Sequence, residues 1–156
     1  MPRILPVMLM VGCFAVAGAG AERPSLDRVL IAADDIGGGW DTVGEAPTDP
    51  SQDPDLVRWG VREQRALHYT RERNGVVQVC SVEIWAFEDV PRARAAHANF
   101  TYPDWSITRD GPLVLMVRGI TRVRGEVPRR GVFHDCRHIA DRVRARAASF
   151  TRDVAP

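Results

Sequence analysis

Two histidines four residues apart, in the run His134-Asp135-Cys136-Arg137-His138, form the sharpest chemical pattern in the chain. On a helix that spacing puts both imidazoles on one face, the arrangement by which the two histidines of HExxH hold zinc. The Glu of that motif is absent. A zinc site needs a third donor, which would have to be His68, His97 or a carboxylate. Cys136 lies roughly 200° from either histidine on the helical wheel and is a poor co-ligand. A metal-binding protein or metal-dependent enzyme using His134 and His138 is the alternative expectation. The plain reading is a pair of surface histidines near a helix start.

Cysteine and histidine side chains could also form a nucleophilic pair, but Cys80 and Cys136 both fall on apolar faces, and a reactive thiolate needs exposure. No Gly-x-Ser-x-Gly elbow and no Ser-x-x-Lys motif is present. The glycines of LIAADDIGGGW lack both the Gly-Lys-Ser/Thr of a Walker loop and the strand-to-helix setting of a dinucleotide fingerprint. Non-catalytic action without a cofactor is the expectation that follows. A binding surface, if there is one, is expected around His68, Ser81, Glu83 and Trp85, which alternation places on one face of a strand pair.

That strand pair is the element that positions them. Residues 67–87, LHYTRERNGVVQVCSVEIWAF, read as a hairpin turning on Asn74-Gly75, the pair a type I′ turn prefers. With Arg73 and Val76 closing the turn, Tyr69 faces Cys80, Leu67 faces Val82 and Arg65 faces Ile84. Cys80, Val82, Ile84 and Ala86 then mark the core face. The opposite face, with Val77, Val79, Ser81, Glu83, Trp85 and Phe87, is too apolar for open water and predicts a central strand or partial cover.

The remaining elements follow in order. Pro24-Ser25 followed by Leu26, Val29, Leu30 and Ala33 predicts a helix of about three turns, stopped by Gly37-Gly38-Gly39. Residues 42–54, rich in Pro, Asp and Thr, predict a surface loop that could rim a site. Strand one starts near Trp59. Asp89 caps a helix beginning at Val90-Pro91, in which Ala93, Ala96 and Phe100 share a face. A second hairpin turns on Asp110-Gly111, and its strand Leu113-Val114-Leu115-Met116-Val117 is apolar on both faces. Cys136, Ala140, Val143, Ala147 and Phe150 recur as one stripe of a final helix, widened by Ile139. The expected fold is α+β in the order α-β-β-α-β-β-α: a mostly antiparallel four-stranded sheet from two hairpins, with the helices on one face.

Residues 1–21 have the outline of a secretory signal peptide: a basic start at Arg3, an apolar run from Ile4, and Ala19-Gly20-Ala21 before the first acid, Glu22. The run is short for a membrane span. Met10-Val11-Gly12-Cys13 resembles a bacterial lipobox, so lipidation at Cys13 is the alternative to plain secretion and the one route to membrane attachment. Residues 22–156 then form one α+β domain, exported to the periplasm, cell envelope or medium. In that compartment Cys80 and Cys136 are expected to form a disulfide.

Charge is balanced overall but not along the chain: residues 22–116 hold 16 acids and 10 arginines, residues 117–156 hold 4 acids and 10 arginines. Formal neutrality of the mature chain argues against nucleic acid as a partner. The basic C-terminal third predicts a solvated helix face that pairs with acids elsewhere in the fold.

LIAADDIGGGW resembles the Leu-x-x-x-Asp-apolar-Gly-x-Gly-Trp opening of many small exported actinobacterial proteins and lipoproteins. YTRERNGVVQVCSVEIWAFEDVPRARAA is similar to their second feature, a strand ending in Phe before Asp, Pro and an Ala-Arg helix. In outline these proteins are similar to the extracellular sensor domains of mycobacterial serine/threonine kinases. The resemblance implies a non-enzymatic envelope domain that binds a small ligand or an envelope protein, and it transfers no functional residue.

Overall fold

The computed structural model describes residues 25–44 and 49–154. Cys13, the expected signal peptide and the middle of the expected 42–54 loop lie outside the described residues.

The Asn-Gly turn and its flanking β-rich runs form β2 (Val61–Arg73) and β3 (Val76–Phe87), the second and third strands in chain order. Asn74 (φ 53°) and Gly75 (φ 73°) both take the positive φ that a two-residue primed turn needs. Tyr69 pairs with Cys80, Leu67 with Val82 and Arg65 with Ile84, the predicted register. On the far side of β3 runs β5 (Leu113–Val123), and beyond it β4 (Ser106–Asp110). The short strand β1 (Asp41–Gly44) pairs with β2, and β6 (Arg129–Arg130) pairs with Ile120 and Thr121 of β5, past the end of β4. The order is β1-β2-β3-β5-β4 and every pairing is antiparallel.

The α+β class and the antiparallel sheet stand, but the sheet has six strands rather than four, and helices cover both faces rather than one. Helix α4 (His134–Val154) lays Cys136, Ile139, Ala140, Val143 and Ala147 against Tyr69, Cys80, Val82, Ile84, Leu115 and Val117. On the opposite face, α3 (Val90–Asn99), capped by the Asp89 carboxylate on Arg92 N–H, buries Ala93 and Ala96 against Trp85, Phe87, Val114 and Met116. The physical reason is the central pair β3–β5. Its residues are buried on both sides, so one layer of helices would leave half of that surface in water.

The three-turn opening helix does not form. Ser25 caps a single 3₁₀ turn at Leu26–Arg28, and the four-residue helix α1 (Ala33–Ile36) precedes the glycines. Carbonyls that such a helix would use are taken by distant donors: Tyr69 Oη–H donates to Ile31 O (2.9 Å), and Arg146 Nη1 donates to Leu30 O. The segment is an apolar strap, with Leu26, Val29 and Ile31 buried in the first core.

The described parts of 42–54 are not a plain loop. They supply the rest of β1, a 3₁₀ turn at Pro50–Gln52 and the N-cap of α2 (Pro54–Trp59), where Asp53 accepts from the N–H groups of Asp55 and Leu56. The second hairpin turns on Gly111-Pro112, because Asp110 is already paired with Leu113. Gly111, at φ 52°, takes the first central position, where positive φ is required and proline would be excluded.

Cys80 and Cys136 stand at disulfide distance with their Cα atoms 5.5 Å apart, joining the central strand to the start of α4. Gly119, the register partner of Cys80, makes room for the segment that leads into α4. A Cβ there would collide with the Gly131 carbonyl and lie 2.7–2.8 Å from the Phe133 ring carbons.

At three positions the arginines of the C-terminal third reach acids or a carbonyl across the fold. Arg146 bridges Asp35 at 3.0 Å, Arg142 donates to the Asp35 carbonyl, and Arg130 approaches Asp104 at 3.5 Å. Among the described residues, no helix is long and apolar enough to cross a membrane.

Candidate functional site

The second sheet face divides into cross-strand rows, because antiparallel partners point the same way. One row holds His68, Ser81 and Arg118; the next holds Ala66, Glu83, Met116 and Ile107; a third holds Gln64, Trp85, Val114 and Arg109. The four residues expected to mark a binding surface are therefore together on this face, in three successive rows. His68 and Ser81 engage each other, with Nδ1 and Oγ 2.8 Å apart. Ser81 is 2% exposed, so its hydroxyl is enclosed by the sheet and serves as a partner for the imidazole.

Glu83 and Trp85 line a cleft of about 210 Å³ together with Met116, Tyr102 and Trp105. Its floor is the sheet and its wall is the turn after α3, in which Trp105 N–H donates to Tyr102 O (3.0 Å). Phe100 fixes that wall from behind. It meets Trp85 edge-on (centroids 5.0 Å, 80°), Trp59 in the same way (5.7 Å, 65°) and Tyr102 at a tilt (6.0 Å, 41°). The Arg118 guanidinium lies 4.6 Å from the Trp105 ring centroid, a cation–π contact that holds the indole at the cleft edge. Beyond the turn a second hollow of about 380 Å³ is lined by His97, Phe100, Tyr102, Trp105 and Ile107, among others. Tyr102 and Trp105 are shared by both hollows, and Tyr102 is 47% exposed.

Three of the four tryptophans gather on this second face: Trp59, Trp85 and Trp105. The described rim comes from the turn after α3; the described parts of 42–54 pair with β2, form a 3₁₀ turn or start α2. Arg118 and Met116 could be assigned to a face only once the register of β5 on β3 was known. The chain between those strands includes a whole helix and hides that register.

His134 and His138 lie four apart in the first turns of α4, both exposed, with the His134 side chain at 97%. Its Nδ1 is 3.6 Å from the Asp135 carboxylate. Asp135 is committed elsewhere: burial pushes its carboxyl up, the Arg71 hydrogen bond and charge outweigh that, and its pKa ends below the usual carboxylate value. Among the described residues no three His, Cys, Asp or Glu side chains converge on a common point. Cys136 points the other way, to Cys80.

On the first face, a separate hollow of about 350 Å³ lies between α4 and the β4–β5 hairpin, with Thr108 and Arg144 among its lining. The Arg144 guanidinium is held by the fold, on Asp141 (2.7 Å) and Thr108 (3.3 Å).

Comparison with family models, characterised proteins and solved structures finds no match to this chain.

Proposed function

We propose that this protein is an exported, non-catalytic binding domain of the bacterial envelope, and that it takes a small ligand, or one end of an envelope partner, in the cleft of Glu83, Trp85, Tyr102, Trp105 and Met116. The observation that carries this reading is the wall of the cleft. Tyr102 is held at the surface beside Phe100, and Trp105, half-buried against the second core, is held at the cleft edge by Arg118. Aromatic side chains kept at a concave surface, with a few polar groups among them, are the usual makings of a ligand site. Export is supported by the signal-like opening of the chain and by the cysteine pair, which suits an oxidising compartment.

The test is retention. Protein immobilised through its C-terminus is exposed to the small-molecule fraction of an envelope extract, and what it holds is read by mass spectrometry. Wild type should retain a small set of molecules that Trp105→Ala loses. Equal retention by both proteins, or turnover of extract components without saturable binding, would overturn the proposal.

A further inference from the structure

We infer that the free edge of β4 docks an extended segment of a partner polypeptide, which joins the sheet as an added strand and sets two consecutive side chains into the hollows on either side of that edge. β4 is the last strand of the sheet, with β5 as its strand partner. The register fixes which of its backbone groups point outward. Asp110 and Leu113 close a two-residue turn and exchange hydrogen bonds, so Asp110, Thr108 and Ser106 turn their backbone groups toward β5. The same phase holds farther along, where Gly119 O accepts from Gly131 N–H on the β4 side of β5. Ile107 and Arg109 therefore aim their N–H and C=O groups away from the sheet. Among the described residues nothing hydrogen-bonds to these four groups. Sheet edges are commonly blunted by proline or a bulge, and β4 contains neither.

Both faces beside this edge are hollowed, at neighbouring positions. Residues directly opposite across an antiparallel pair share a face, so a guest residue opposite Thr108 lies on the first face and the next one, opposite Ile107, on the second. On the first face the hollow of about 350 Å³ reaches β4 at Thr108 and Asp110. It persists because α4 presents Ala145, Ala147 and Ala148 there, and with Leu113 and Leu115 beneath it suits an aliphatic side chain. On the second face the hollow of about 380 Å³ meets β4 at Ile107 and continues to Tyr102 and Trp105, which suits an aromatic one. In strand addition, main-chain bonds give affinity and pockets for alternate side chains give selectivity. A second copy of this chain fits less well. Its β4, paired about Thr108, would bring Thr108 to the first hollow and Arg109 to the second. Both side chains are already engaged, Thr108 by Arg144 (3.3 Å) and Arg109 by Gly111 O (3.0 Å). The edge is a site beyond the cleft and does not require it, although the second hollow shares Tyr102 and Trp105 with the cleft wall.

The probe is the acetylated, amidated hexapeptide Thr-Thr-Leu-Phe-Thr-Thr, whose Leu-Phe order suits an antiparallel guest, titrated into the ¹⁵N-labelled, disulfide-bonded protein. The Ile107 and Arg109 amide signals should move saturably, and their hydrogen exchange should slow at least tenfold. Replacing the peptide's Leu by Ala, or methylating its Phe nitrogen, which faces the Ile107 carbonyl, should each weaken binding at least tenfold. In the protein, Arg109→Pro removes an outward donor and no bond of the sheet, and Ala148→Leu fills the first hollow. Each should weaken peptide binding at least tenfold and keep the wild-type retention of envelope molecules in the cleft. Unmoved Ile107 and Arg109 amides at millimolar peptide, or undiminished binding of the N-methylated peptide, would overturn the edge as a site. Movement confined to Tyr102 and Trp105 would overturn it too, leaving the cleft standing. Ile107 and Arg109 amides already protected in a peptide-free protein that sediments as a dimer would give the edge to a second copy and overturn the peptide. If extract retention proves independent of Trp105, the cleft falls and the outcome at the edge is unaffected.

Discussion

At the scale of single residues, Tyr69 shows how one polar atom can be worth its burial. Its ring is fully enclosed under α4 and its hydroxyl holds the Ile31 carbonyl of the N-terminal strap. Burial pushes its pKa up to about 12, against a free value near 10. The sign follows directly. Folding favours the protonated phenol, so this contribution is fully present below pH 10 and is lost as pH rises through about 12. The chain has two tyrosines and no lysine, so little else titrates in that window. Wild type should lose on the order of 2 kcal/mol between pH 10 and 12 in urea titrations, and Tyr69→Phe should lose clearly less. At pH 7 the same substitution should cost about 1–2 kcal/mol by leaving the Ile31 carbonyl unpaired. Parallel alkaline losses in the two proteins would contradict the assignment.

At the scale of elements, the two hairpins carry unequal information. The first is specified by Asn74-Gly75, and its register was legible because a one-residue slip would turn Cys80, Val82 and Ile84 out to the wrong face. The second shifted by one residue, since Asp-Gly and Gly-Pro both punctuate a turn and only the pairing of Asp110 with Leu113 decides between them. Strand β5 depends on an absence. Without a side chain at Gly119, the segment carrying Gly131 and Phe133 can cross directly over the sheet, and Gly131 N–H reaches Gly119 O at 2.9 Å. Gly119→Ala should therefore cost about 1–3 kcal/mol, an overpacking penalty, seen as a lower urea midpoint with an unchanged slope. A neutral result would mean that the crossing segment is not seated as described.

At the scale of the whole molecule, the Cys80–Cys136 pair ties the middle of the sheet to the last helix across a sequence separation of 56 residues. In the chain-entropy account a loop of that length is worth about 4 kcal/mol. The Cys80→Ala/Cys136→Ala double variant should lose that order of stability, and native air-oxidised protein should show no free thiol at either position. Reactive thiols under native conditions would refute the pairing. The arginine-rich C-terminal third is fastened to the N-terminal strap by Arg142 and Arg146 on the backbone and carboxylate around Asp35. The uneven charge along the chain thus serves contact within the fold at those positions.

The cysteine pair, the first hairpin and its register, the capped α3 and the apolar stripe of α4 were all determined by the sequence, because each rests on a local period or a turn chemistry that spans a few residues. The shared face of His68, Ser81, Glu83 and Trp85 was legible for the same reason. Only the tertiary structure decided that helices occupy both sides of the sheet, that the N-terminal segment is a strap, and that Tyr102, Trp105, Met116 and Arg118 complete the cleft. Those outcomes depend on which distant groups compete for a backbone carbonyl or an apolar face, as Tyr69 does for Ile31 and α3 does for Trp85. No window of sequence contains both partners of such a contact.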